Sequence, residues 1–122
     1  MKHLQKGRKF SRTGKQRRAL LKIMVGDLLM KEKISTTEAK AKEIKMLAEK
    51  IVNRIKSAFS SEKKNVDALR KLAAVLPRKV GADRLEKIAS FFATRNSGYF
   101  QVVKTGQRRS DGAEMAILKF KE

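Results

Sequence analysis

Hydrophobic residues recur every three or four positions in four stretches of the chain, which is the spacing of one face of an α-helix. The pattern predicts helices over residues 14–30, from 38 to about 58–60, from about 61 or 62 toward Pro77, and over 82–93. Thr13 and Gln16 stand at capping-box spacing before the first helix, and Thr37 is a candidate N-cap of the second. Pro77, the only proline, is expected to end the third helix or to lie in the loop after it.

Three shorter segments have the composition of β-strands. Residues 33–37 favour a short strand, and residues 99–104 carry aromatic and aliphatic side chains. In residues 115–121, successive side chains are expected to point to opposite faces of a strand. The last two segments predict a hairpin with a long loop over 105–114 and with Arg108 and Arg109 at its tip. Because an isolated hairpin is only marginally stable, we expect 33–37 to join it as a third strand. The order helix, strand, three helices, two strands predicts an α+β fold in which a small three-stranded sheet packs on helices.

The same patterns predict which side chains form the core. The apolar faces expected on the four helices are, in order, Leu20, Leu21, Ile23, Met24, Val25 and Leu28; Ile44, Leu47, Ala48, Ile51, Val52 and Ile55; Val66, Leu69, Leu72 and Ala73; and Leu85, Ile88, Ala89 and Phe92. Further residues expected to pack are Phe91, Phe100, Phe120, Met30, Met46 and Met115. In the last strand, Ala116, Leu118 and Phe120 share one face.

Basic residues are unevenly distributed along the chain, whose 122 residues carry a formal net charge of +19. Nine lysines and arginines precede the first carboxylate, Asp27. Such a stretch repels itself in water, whereas each contact with a phosphate releases a condensed counterion. The charge therefore predicts a nucleic-acid partner. Residues 1–12 lack the periodicity of a packed element and are expected to form a basic extended arm, with residues 13–122 as a single α+β domain.

Composition argues against several other classes of protein. The chain has no cysteine, so it has no disulfide, no thiolate metal site and no cysteine nucleophile. Its one histidine, His3, cannot build a metal site alone, and no phosphate-binding glycine loop or HExxH motif is present. We therefore expect no enzymatic activity, no cofactor, no metal and no small-molecule substrate. No apolar run reaches the length of a membrane span and no signal peptide is recognisable, which favours a soluble cytoplasmic protein.

Four blocks of sequence occur in a characteristic order. They are MKHLQKGRKFSRT at 1–13, ISTT at 34–37 followed by AKE at 41–43, RNSGY at 95–99, and KTGQRRSDGAEMA at 104–116. In these blocks the chain resembles, over its whole length, the family of the bacterial large-subunit ribosomal protein numbered seventeen. It departs from that pattern at Gln16, Ser110 and Glu114, where the family usually has His, Gly and Pro. The resemblance implies a structural constituent of the large ribosomal subunit that binds large-subunit ribosomal RNA beside neighbouring ribosomal proteins, toward the peptide-exit side.

Sixteen residues are candidate contacts with RNA. They are Lys2, His3, Lys6, Arg8, Lys9, Arg12, Lys15, Arg17, Arg18, Lys22, Arg78, Lys79, Arg95, Tyr99, Arg108 and Arg109. The arm residues are expected to clamp phosphates, and Arg17, Arg18 and Lys22 lie in the acid-free first half of a helix. Arginines at a hairpin tip have few structural duties, so a loop that enters an RNA groove is favoured there, with Asp111 shaping the turn.

Alternatives stay open at several of these positions. His3 either meets a phosphate or base or is an ordinary surface residue, and Tyr99 either stacks on a base or is half-buried in the core. Arg78 and Lys79, with Arg84, surround a turn where RNA contact and a solvated surface are equally well supported. On the second helix the lysines alternate with glutamates, so a solvated face is expected there.

Two other functions fit the same charge. An architectural DNA-binding protein would also neutralise phosphates, although the chain has no obvious dimer seam or recognition helix. A cationic membrane-surface protein would need a helical stripe with aromatic anchors in its basic segment, and residues 1–12 lack one. Ribosomal RNA is therefore the preferred partner, and duplex DNA binding is the property that separates it from the first alternative.

Overall fold

The computed structural model describes Phe10, residues 12–60 and residues 66–121. Within these residues the elements are α1 Gly14–Lys31, β1 Lys33–Thr37, α2 Glu38–Ala58, α3 Val66–Val75, α4 Ala82–Phe91, β2 Phe100–Gln107 and β3 Glu114–Phe120. The α+β fold and the order of its elements are confirmed. The start of the third helix predicted near residue 61 or 62 lies outside the described residues, as does most of the predicted arm.

α1 begins and ends at residues suited to these positions. The Thr13 side chain accepts a hydrogen bond from the backbone N–H of Gln16 (N···Oγ1 3.3 Å), which confirms the predicted N-cap. Glu32 has a left-handed φ of 68°, and its backbone N–H donates to the carbonyl of Leu28. The helix therefore stops there, and the chain reverses directly into β1.

β3 is the central strand of the sheet, with β1 and β2 antiparallel on its two sides. The third strand thus joins the hairpin as predicted, and Ala116, Leu118 and Phe120 are buried on one face. The predicted loop over 105–114 is wrong in its length, because a bulge between Lys104 and Gly106 lets β2 continue to Gln107. Residues 108–113 alone form the loop.

α2 lies at the centre of the fold and contacts every other described helix and strand. Its buried face confirms the predicted period and contains Ala41, Ile44, Ala48, Ile51, Val52 and Ile55. An aromatic cluster covers the end of α4. There the Phe92 ring centroid lies 5.1 Å from those of Tyr99 and Phe120 and 5.9 Å from that of Phe100.

Some residues predicted to pack inside are exposed instead. They are Ile23, Met30, Met46, Val66, Ala73 and Phe91. Phe91 is 53% exposed and Phe92 fully buried, because α4 turns the face that holds Leu85 and Ile88 toward the core. α3 packs through Leu72, which leaves Val66 and Ala73 on its outer side.

α1 packs very closely against the loop after α3 at Gly26. A Cβ atom at this position would lie 2.5 Å from Cγ and 2.9 Å from Cδ of Pro77. The contact therefore requires glycine inside a helix, despite the low helix propensity of glycine. It also places Arg78 and Lys79, which follow Pro77 in the chain, beside the middle of α1.

We expect Gly26→Ala to destabilise the protein by about 1–3 kcal/mol, the usual effect of overpacking, although alanine is the better helix former. Gly14→Ala is the matched control, since a Cβ there meets only the ends of two arginine side chains at 3.8 Å. Urea denaturation of both variants measures the difference in the free energy of unfolding. A Gly26→Ala protein as stable as the unsubstituted one would show that the Pro77 loop moves aside without cost.

Candidate nucleic-acid interface

Cationic side chains form a row along the first half of α1. Lys15, Arg18 and Lys22 are spaced three and four residues apart, so they share one side of the helix, and all three are exposed. The next position in this row is Gly26, which packs against Pro77. The chain has no carboxylate before Asp27, so these cations have no acidic neighbour one turn away on that side. The row is therefore a strip of positive charge that ends at the Pro77 loop.

The Pro77 loop extends the row with Arg78. This side chain is exposed and has no ion pair with any residue in the described ranges. Its neighbour Lys79 pairs with Asp27, the one acid of α1, so part of the Lys79 charge is already neutralised within the fold. We call Lys15, Arg18, Lys22 and Arg78 the basic surface. The half-buried Arg17 lies on the same helix.

Arg84 has a structural role behind this surface. Its Nε donates to the carbonyl of Leu29 (2.7 Å), and its terminal nitrogen lies 3.3 Å from Oε1 of Glu32. These contacts tie α4 to the last turn of α1. Together with the Gly26–Pro77 contact, they fix the positions of α1 and of the Pro77 loop, which carry the basic surface.

The hairpin tip lies at the same end of the molecule as the first half of α1. β1 runs back along α1, and Ser35 lines a surface groove together with Met24. β3 begins opposite the end of β1, where Thr37 pairs with Met115. The loop that precedes β3 therefore projects past the end of β1, toward the side where α1 begins. The strand directions thus point the hairpin tip toward the end of the molecule at which α1 begins.

The two arginines of the hairpin tip differ in their contacts. Arg108 makes two hydrogen bonds to the carboxylate of Asp111, at 2.9 and 2.6 Å, so the prediction that it has few structural duties is wrong. Asp111 also accepts a hydrogen bond from the backbone N–H of Ala113 (3.2 Å), which confirms its predicted role in the turn. These bonds, first that of Arg108, lower the pKa of Asp111 to about 2. Arg109 is exposed without an ion pair inside the described ranges.

Tyr99 and Arg95 lie near the C-terminal end of α2, away from the hairpin tip. The Tyr99 side chain is 1% exposed, and its hydroxyl donates to Oδ1 of Asn53 (2.6 Å) and accepts from Nζ of Lys56 (3.2 Å). The structure contradicts base stacking on Tyr99, because no face of the ring is accessible. Arg95 donates to the carbonyl of Lys121, which ties the turn before β2 to the end of β3.

Acidic groups near the hairpin are paired within the fold. Glu38, at the start of α2, lies 2.9 Å from Nζ of Lys42 and 3.5 Å from Nζ of Lys104. The hydrogen bond from Lys42 is the main cause that lowers the pKa of Glu38 from 4.5 to about 2, and the charge of Lys104 acts in the same direction. Because the folded-state pKa is the lower one, this pairing stabilises the fold at neutral pH and is lost as the pH falls from 4.5 toward 2. The same direction holds for Asp111, whose ordinary pKa is 3.8.

Most of the predicted arm contacts lie outside the described residues, namely Lys2, His3, Lys6, Arg8 and Lys9. Arg12 is described, and its guanidinium donates to the carbonyl of Phe10 (2.8 Å). Over residues 12–60 and 66–121, no three acidic or histidine side chains are grouped in a way that would hold a metal ion. Across the same ranges, no helix is both long and apolar enough to span a membrane.

Comparisons with known proteins point to one family. Residues 20–121 match the family model described as ribosomal protein L17. The large ribosomal subunit protein bL17 of Shouchella clausii is 40% identical over 121 residues, covering 92% of this chain and 96% of the relative. The proteins of the same name from Thermodesulfovibrio yellowstonii and Gemmatimonas aurantiaca are 40% and 37% identical, covering 98% of this chain and 86% and 97% of the relatives. Nearly the whole chain therefore aligns with nearly the whole of each relative.

Proposed function

Because the chain belongs to the ribosomal protein L17 family, we propose that it is a structural protein of the large ribosomal subunit, where it binds large-subunit ribosomal RNA. It is not an enzyme, since the proteins of this family are structural ribosomal proteins. The observation that carries RNA binding is the basic surface, in which Lys15, Arg18 and Lys22 follow one another without a neighbouring acid and Arg78 joins them from another loop. The names of the relatives support the same assembly and a role in translation.

The proposed mechanism is neutralisation of phosphates by a rigid body and a basic arm. Each contact between a cation of the basic surface and a phosphate releases a condensed counterion, so affinity falls as salt rises. The residues of arm 1–12 that add to this surface are Lys2, His3, Lys6, Arg8, Lys9 and Arg12. Domain 13–122 carries the surface on α1, and the exposed Arg109 adds a contact from the hairpin tip. Specificity then comes from the folded shape of the RNA, because phosphate contacts carry no base sequence.

Neighbouring ribosomal proteins are the second class of partner in this proposal, and the ribosome in the cytoplasm is the proposed location. The proposed function requires no cofactor, metal, membrane or small-molecule substrate. Arg95, Lys79 and Arg108 contribute to it chiefly by holding the turns and loops that carry the exposed cations, since each is engaged by a partner within the fold.

A competition assay tests the proposed function against architectural DNA binding. The full chain is bound to labelled large-subunit ribosomal RNA and challenged with unlabelled ribosomal RNA or duplex DNA at equal phosphate concentration and several salt concentrations. We expect the ribosomal RNA to compete at least about tenfold better, because folded RNA presents a shape that duplex DNA lacks. Equal competition by duplex DNA would contradict the proposal and favour the architectural alternative.

A further inference from the structure

A surface groove lies between α2 and α3, on the part of the fold that holds Tyr99. Its floor is apolar and is formed by Ala68 and Val75, above the buried Leu72. Its volume is about 660 Å³, within the range of sites that hold small organic molecules. Val75 on this floor is 39% exposed, and the basic surface of α1 does not include the groove.

The charged side chains that line the groove are both cationic. Arg54 projects from α2 and Lys71 from α3, and no carboxylate is among the lining residues that the structure describes. An apolar floor between two cations is suited to a ligand with a flat apolar part and an anionic part. A nucleotide has this combination, because the flat faces of its base pack against aliphatic side chains while its phosphates attract arginine and lysine.

Asn53 supplies a fixed polar group at the edge of the groove. Its Oδ1 accepts the hydrogen bond from the buried hydroxyl of Tyr99 (2.6 Å), and this hydroxyl is itself bonded to Lys56 (3.2 Å). The bond to Oδ1 orients the amide, so that Nδ2 is the atom left to donate to a ligand. A donor held in place by a buried network loses little conformational entropy when it binds.

We propose that this groove holds one unpaired nucleotide of the RNA, an inference that rests on the proposed function. The base lies against Ala68 and Val75, and Nδ2 of Asn53 donates to an acceptor on its edge. Arg54 and Lys71 meet the phosphates on either side. The basic surface of α1 would then bind paired RNA through its phosphates, while the groove selects a bulged or looped position.

RNA hairpins test this inference with the full chain. Four hairpins, each with one bulged nucleotide of a different base, are compared with the fully paired hairpin of the same stem. We expect at least one bulged hairpin to bind roughly tenfold more tightly than the paired one, because the groove offers a single base an apolar seat and one hydrogen-bond donor. The measured quantity is the ratio of the affinities of one protein for the bulged and the paired hairpin. A substitution that only weakens the general attraction to phosphates lowers both affinities and leaves this ratio unchanged.

Asn53→Asp is the informative variant, since it keeps the acceptor for Tyr99 but removes the amide donor. Its matched control is Asn96→Asp, the same substitution at an exposed residue that does not line the groove. A second pair is Arg54→Gln, in the groove, against Lys50→Gln, one turn earlier on α2. We expect the preference for the bulge to fall toward one in Asn53→Asp and Arg54→Gln and to persist in both controls.

Each other outcome overturns part of the account. An unsubstituted protein that binds paired and bulged hairpins equally, as it would if a side chain of a neighbouring protein filled the groove, overturns the inference and leaves the proposed function standing. A preference that survives both groove variants, or that both controls also abolish, overturns the inference as well. A protein that binds none of the hairpins and no ribosomal RNA overturns the inference and the proposed function together.

Discussion

Replacement of Lys15, Arg18, Lys22 and Arg78 by glutamine is expected to reduce the slope of log affinity against log salt by about 3, because each lost phosphate contact removes roughly 0.7–0.9. These four side chains are exposed and have no ion pair among the described residues, so their loss leaves the core and its contacts unchanged. The slope is measured by titrating ribosomal RNA with the variant at several salt concentrations. Circular dichroism checks that the fold is retained.

The matched control removes four other cations, Lys40, Lys45, Lys50 and Lys87. Each lies on a helix, α2 or α4, on which acidic residues alternate with the basic ones, so these lysines belong to surfaces of mixed charge. Both variants change the net charge by the same amount. We expect the control to retain most of the salt slope. If the salt slope fell equally in the two variants, total charge would determine binding and the basic surface would have no special role.

The second large effect is expected at Phe92. Truncation to alanine removes a fully buried ring that contacts four other aromatic residues, and such changes cost about 3–5 kcal/mol. Since small domains have a free energy of unfolding of about 5–15 kcal/mol, Phe92→Ala should leave much of the chain unfolded at moderate temperature. Urea and thermal denaturation measure the loss.

Phe91→Ala is the control for this prediction, because it is the same chemical change at the adjacent position. Phe91 is 53% exposed and its ring packs only at one side, on Phe92 and Phe120, so truncation should cost about 1–2 kcal/mol, clearly less than at Phe92. Similar losses in the two variants would mean that α4 does not present one face to the core in the way the structure describes.

Local signals account for the part of the fold that the sequence predicts. Thr13 caps α1 because its side chain and the N–H of Gln16 are three residues apart, and such contacts are readable from spacing alone. The period of α2 is likewise readable, because this helix is covered on one continuous face. Phe91 and Phe92 are equally apolar neighbours, and only the direction in which α4 packs decides which is buried.

Contacts between distant residues account for what the sequence did not predict. Gly26 resembles an ordinary interruption of a helical pattern until Pro77 is placed against it. Tyr99 is a plausible stacking residue until the network that joins it to Asn53 and Lys56 is known. The groove could not be predicted from the sequence either, because its cations come from two helices and have no common motif.

The candidate interface also has some features that the sequence reveals and others that depend on contacts between distant residues. The acid-free run on α1 is visible in the sequence, because it needs no knowledge of the fold. The pairing of Arg108 with Asp111 and of Lys79 with Asp27 depends on geometry, and it separates cations occupied within the fold from those left exposed. Arg78 and Arg109 therefore remain candidates for phosphate contact, while their neighbours serve mainly to hold the loops.

Sedimentation of a cell lysate tests the central claim most directly. At moderate salt, the account predicts that this chain travels with the large ribosomal subunits and is released progressively as the salt concentration rises, because its attachment is largely electrostatic. Recovery of the chain at the top of the gradient even at low salt, with intact large subunits further down, would contradict the account.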